Sequence, residues 1–183
     1  MVQVYHSTPW RDGNIGAGIN DFCALVPDDA WVCLRDGDSL FLDPQWGNHI
    51  QSIIEANPDY SLIGCITNRL RADYQLHQGK FSEDADLRNH IAIARQRWLE
   101  HKTHVQPLTY GPVAGVCMLF PKRVWLKHPF AEKTIDFDRT FTDRVRAAGG
   151  RVGIAHGLYL WHTYRLGRKN PLDYTEHLRG AAQ

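Results

Sequence analysis

Short apolar runs alternate along this chain with longer segments whose apolar residues recur every three or four positions. That alternation restricts the fold to a sheet layered with helices. Val2 to Ser7 alternates and begins with β-formers, so it reads as a first strand. Ile15, Ile19, Phe22 and Val26 then recur at helical spacing until Pro27-Asp28-Asp29 stops them. Ala30 to Arg35 is a short apolar strand, and a helix starting near Pro44 carries Ile50, Ile53 and Ile54 inward. Asn57-Pro58-Asp59 is a turn before a strand from Ser61 to Thr67. Asn68 to Ser82 is polar and without a period, so it reads as a long loop of the kind that is often functional. A helix over Asp84 to Lys102 sets Leu87, Ile91, Ala94 and Trp98 on one face. Val113 to Phe120 reads as a buried strand, and Phe137 to Ala148 as a helix closed by Gly149-Gly150. Arg151 to Ala155 is the last strand, followed by an aromatic and basic tail. The order predicts an α/β fold with a mostly parallel central sheet over residues 1–165 and a basic tail over 166–183.

A length of 183 residues with 43% hydrophobic content suffices for one packed domain. A formal net charge of +1 argues against a broad nucleic-acid footprint. Cys23, Cys33, Cys65 and Cys117 form no CxxC pair and each sits among apolar neighbours, which predicts buried free thiols. No stretch approaches the length of a membrane span, and no leader segment is visible. These features fit a reducing cytoplasm.

Chemistry concentrates at Asp36-Gly37-Asp38. Two carboxylates flank a glycine at the mouth of the apolar run Trp31-Val32-Cys33-Leu34. Carboxylates that close repel unless a positive group stands beside them, and a hard divalent cation with oxygen ligands meets that need. In α/β sheets ligands gather beyond the carboxyl ends of the strands, where this turn falls. The plainer alternative is an Asp-Gly turn that only ends a strand.

The segment Trp31 to Asp38 resembles the DxD signature of glycosyltransferases with the GT-A fold. Three further pieces follow in the family's order. Gly111 to Phe120 is similar to the acceptor-side segment of family 2-like members. Ile135-Asp136-Phe137-Asp138, with Arg144 and Ala148-Gly149-Gly150, resembles their acidic motif and following helix. His156 to Arg165 resembles their terminal strand with its metal-binding histidine, and also the C-terminal pattern of polypeptide N-acetylgalactosaminyltransferases.

The resemblance implies a Rossmann-like GT-A domain moving a sugar from a UDP- or GDP-sugar to a hydroxyl acceptor, with Mn²⁺ or Mg²⁺ as cofactor. On it, Asp36, Asp38 and His162 hold the metal, and Asp36 alternatively meets the ribose. Ser7, Thr8, Pro9 and Trp10 cradle the nucleobase, Arg165 reaches the diphosphate, and Asp136 is the general base if the reaction inverts; the similarity to the retaining N-acetylgalactosaminyltransferases leaves retention open. The chain departs from the pattern at Ile135, where a Glu is usual, and in the short region before Asp36.

Bland alternatives stand beside these roles. Asp136 and Asp138 suit the start of any helix, and His162 suits packing against Trp161 and Tyr164. Three other functions compete: a catalytically inactive GT-A domain that binds a sugar nucleotide or glycan, a dinucleotide site at Gly13-Asn14-Ile15-Gly16-Ala17-Gly18, and a DxD phosphatase of the haloacid dehalogenase type.

Overall fold

The computed structural model describes residues 2–8 and 11–164. Pro9, Trp10, Arg165 and the tail 166–183 lie outside the described residues. Strand β1 (Val4–Ser7) leads to helix α1 (Ile15–Leu25), strand β2 (Trp31–Arg35) and a two-residue strand β3 (Ser39–Leu40). Helix α2 (Trp46–Ala56) and strand β4 (Tyr60–Thr67) precede two single 3₁₀ turns, Asp73–Gln75 and His77–Gly79. Helix α3 (Leu87–His101) and strands β5 (Val105–Pro107) and β6 (Cys117–Pro121) follow. Helices α4 (Lys122–Lys127) and α5 (Phe137–Ala147) lead to strand β7 (Arg151–His162). None of these helices is long and apolar enough to cross a membrane.

The expected α/β fold is present, but its sheet is mixed rather than mostly parallel. Its order is β1-β2-β6-β4-β7-β3, with β5 also paired to β7. Only β1–β2 and β4–β7 are parallel, whereas β2–β6, β4–β6, β3–β7 and β5–β7 are antiparallel. The cause lies between β5 and β6. Leu108 is still at the start of β7, donating to the Val152 carbonyl, while Asp36 at the far end of β2 donates to the Val116 carbonyl. The segment 108–116 therefore climbs the sheet in irregular form, and β6 runs back down. This also shortens the strand expected over Val113 to Phe120. Residues 113–116 are buried without strand pairing, and side chains satisfy their amides. Val113 N–H donates to Thr142 Oγ1 at 3.1 Å, Ala114 N–H to Gln75 Oε1 at 2.9 Å, and Gly115 N–H to Asp138 Oδ2 at 2.9 Å.

Strand residues alternate between two cores. Val32, Leu34, Met118 and Phe120 pack on one face, and Trp31, Cys33, Cys117 and Leu119 on the other. A strand buried on both faces needs an unbroken apolar run, which is what Trp31-Val32-Cys33-Leu34 provides. Ile50, Ile53 and Ile54 of α2 close the second face, as their spacing predicts. All four cysteines are free and buried. Helix α3 is shorter than the sequence pattern suggests, because Asp86 caps it by accepting from Arg88 N–H.

Helix α1 packs without any clearance at Gly16. A Cβ there would lie 2.0 Å from the Ala131 carbonyl oxygen. The helix start is also occupied, since Asn14 Oδ1 accepts from Ala17 N–H at 3.2 Å and Lys133 N–H at 2.9 Å. Gly16 of the dinucleotide pattern thus serves packing, Gly13 a left-handed turn at φ 60°, and protein groups already occupy the helix start. We predict that Gly16→Ala destabilises the protein by about 2 kcal/mol through overpacking. Gly47→Ala, where a Cβ meets nothing within 4 Å, gains up to about 1 kcal/mol from helix propensity. Urea titration of both variants distinguishes a packing glycine from a tolerant one.

Candidate metal centre

The turn after β2 brings Asp36 and Asp38 to the carboxyl end of the sheet. Strand β3 then folds back and pairs with the end of β7, setting Ser39 opposite His162. The turn is tied at three points. Ser39 Oγ donates to the Asp36 carbonyl at 2.6 Å, and Thr163 donates to the Asp38 carbonyl at 3.0 Å from both its N–H and its Oγ1. His162 Nε2 consequently stands 3.2 Å from Asp38 Oδ1 and 3.8 Å from Asp36 Oδ2. One ligand atom from each of the three residues falls within 4.8 Å of the others.

His162 is held from behind. Its Nδ1 lies 2.9 Å from the Arg69 carbonyl oxygen, which can only accept, so Nδ1 carries a proton and Nε2 faces the carboxylates. The Asn68 side chain pairs with the His162 main chain, donating to its carbonyl at 3.1 Å and accepting from its N–H at 2.7 Å. Arg69 is fully buried, and its guanidinium donates to the Tyr164 and Ser82 carbonyls at 2.6 and 2.9 Å. The segment expected to be a free polar loop therefore begins with two buried residues that position the histidine. Sequence reasoning missed both. The usable signal was their place, directly after an apolar strand at the end of the sheet where ligands gather.

The charges are unevenly compensated. Burial alone would lower the His162 pKa, but hydrogen bonding and attraction to Asp38, reinforced by Asp36, raise it. The same hydrogen bond holds Asp38 below the ordinary carboxylate range. Asp36 also lines the cleft beside this group. Desolvation pushes its pKa up to about 6, with His162 opposing and Asp38 and Asp138 adding to the rise. Burial likewise raises Asp138. Two carboxylates and one imidazole with a fixed lone pair are donors that a divalent cation accepts.

A cleft of about 210 Å³ opens beside this group, between Ile15 and Ile19 of α1, the Asp36–Asp38 turn, Gly115 and Phe137. Asp138 crosses its wall to reach Gly115. Asp136 is the N-cap residue of α5, yet its side chain makes no capping hydrogen bond. Ser7 pairs with Leu34 at the same end of the sheet, and Thr8 follows it, exposed. The positions Pro9, Trp10 and Arg165 fall outside the described residues.

Asp36 prefers its proton more in the folded chain than in the unfolded one, so its contribution to stability is full below about pH 4 and is lost as pH rises through about 6. In chelator, Asp36→Asn should therefore stabilise the protein at pH 8, by about 1 kcal/mol once solvent screening of the half-open side chain is counted. The gain should vanish toward pH 4. Thermal unfolding at several pH values reads this directly, and a pH-independent difference would refute the assignment.

A scan against protein-family models and a search of curated proteins both find no match for this chain.

Proposed function

We propose that the chain is a metal-dependent glycosyltransferase of GT-A type, moving a sugar from a nucleoside diphosphate sugar to a hydroxyl acceptor. The observation that carries this reading is the convergence of Asp36, Asp38 and His162 at a sheet end, with a second acidic pair, Asp136 and Asp138, on α5 near the same cleft. A lone Asp-Gly-Asp turn is common. An Asp-Gly-Asp turn whose partner histidine has its own supporting hydrogen bonds is a far stronger basis.

Asp38, Asp36 and His162 hold the cation, and the single nitrogen donor suits Mn²⁺ better than Mg²⁺. Bound there, a divalent ion neutralises charge on the departing diphosphate. The cleft is smaller than typical pockets for whole ligands, which begin at about 300 Å³. It suits the diphosphate and sugar end of a donor whose base rests toward Ser7 and Thr8. Asp136, unengaged by its own helix, accepts the proton of the acceptor hydroxyl as that oxygen attacks the anomeric carbon, which inverts configuration. Asp138 is tied to Gly115 and fixes the cleft wall.

A thermal-shift series with UDP and GDP, each with and without Mn²⁺, tests the donor and metal together. A nucleotide at a hundredfold excess over its Kd adds about 2.7 kcal/mol of stability. The gain should require Mn²⁺ and disappear in Asp38→Ala. If neither nucleotide stabilises the protein with Mn²⁺ present, the reading fails. Asp136→Asn should lower turnover by about 10²–10⁴-fold while leaving the Mn²⁺-dependent shift intact. A wild-type shift without turnover on any supplied acceptor would point to the inactive binding domain.

A further inference from the structure

Three imidazoles meet well away from the Asp–Asp–His centre, where the end of α3 faces the middle of β7. Helix α3 ends at His101, and Lys102 then adopts φ 43° and ψ −119°, a conformation that residues other than glycine rarely take. Neighbouring backbone holds it there. Gly157 approaches so closely that a Cβ on it would lie 2.0 Å from the Lys102 carbonyl oxygen. His156 N–H donates to the His104 carbonyl at 3.0 Å, and Arg97 Nε donates to the His156 carbonyl at 2.8 Å. His156 and Gly157 belong to the register break of β7, where the pairing with β4 jumps from Ala155 to Tyr159. A bulge of this kind re-aims side chains.

The side chain re-aimed here is an imidazole that meets two others. The His156 ring centre lies 5.6 Å from that of His101 and 5.8 Å from that of His104, both edge to face. Among the described residues no hydrogen bond occupies a ring nitrogen of any of the three. The Glu100 carboxylate lies 3.8 Å from His101 Nε2. Imidazoles sharing a tetrahedral ion at nitrogen–metal distances of about 2.0–2.1 Å have ring centres roughly 5 Å apart. Both spacings from His156 are within about 1 Å of that; the three rings do not yet converge as the Asp36, Asp38 and His162 donors do, so side-chain rotation of the partly exposed His101 and the exposed His104 has to complete the set. Burial, with Arg97 and the other two histidines, holds the His156 pKa down at about 4, which keeps its nitrogens free of a second proton at neutral pH.

We propose that His101, His104 and His156 form a second metal site, which takes a nitrogen-preferring divalent transition ion such as Zn²⁺. Its donors differ from the oxygen-rich set at Asp36 and Asp38, and six residues of strand separate it from His162, on the order of 15–20 Å. The Glu100 carboxylate offsets the nearby Arg97 charge. An ion there ties the end of α3 to the middle of β7 across the strained turn. The site stands independently of the glycosyltransferase reading.

The test uses the untagged full chain carrying Asp38→Ala, stripped with chelator, so that the other centre is silent. Calorimetric titration with Zn²⁺ should give one equivalent bound, and Co²⁺ should give the intense visible bands of a tetrahedral site. His156→Gln should weaken Zn²⁺ at least tenfold and abolish those bands. His104→Gln should do the same, and because His104 is exposed its unfolding midpoint in chelator should match that of the parent. The proposal is overturned if the parent binds no Zn²⁺, or if His104→Gln and His156→Gln bind it as tightly as the parent.

Discussion

The side-chain amide of Asn68 pairs with both main-chain groups of His162, and the geometry of the centre follows from that pairing. The regular ladder between β4 and β7 ends at Thr67 and Leu160. One step further, a buried Asn takes over the role of a peptide unit, with one donor and one acceptor bond. The adjacent Arg69 carbonyl fixes the imidazole ring in the same stroke. Loss of either group would leave buried polar atoms unpaired, at a cost of about 1–3 kcal/mol each, and would let the histidine drift from the carboxylates.

Strand β7 is the element that makes this local arrangement global. One edge pairs with β4 along most of its length, while the other is divided between β5 at its start and β3 at its end. Between those two short strands lies the register break with Gly157. The division explains why one strand carries two unlike clusters. Its end meets the returning β3 and so meets aspartates, whereas its middle meets the end of α3 and so meets histidines.

Much of this was legible in the sequence, and the failures share a cause. The apolar run before Asp36 marks β2 because both faces of that strand are buried. Ile50, Ile53 and Ile54 mark α2 because helical period and burial coincide. Hydrophobic period says little where polar groups carry the structure. Asn68, Arg69 and Gln75 are buried and satisfied by hydrogen bonds, so their segment looks like a free loop. Residues 113–116 look like strand because they are apolar, yet their amides bond to side chains. The same blindness truncates β7 at Ala155, since His156-Gly157 reads as a strand end and is a bulge. The mixed sheet was likewise hidden, because a chain that climbs without a helix leaves no periodic trace.

The two aspartates that share a turn are electrostatically different, and the difference bears on how a cation would enter. Asp38 already has a hydrogen-bonding partner in His162, which holds its carboxyl below the ordinary carboxylate range. Asp36, partly desolvated, faces two further carboxylates and lies farther from the same imidazole, 3.8 Å against 3.2 Å. A divalent ion held by the three residues would need Nε2 of His162 unprotonated and would relieve the repulsion on Asp36, so its binding would depend on pH. The pair is thus divided by environment. Asp38 is held below the ordinary carboxylate range, whereas Asp36 and His162 are both shifted upward and are the groups whose protonation a cation would change.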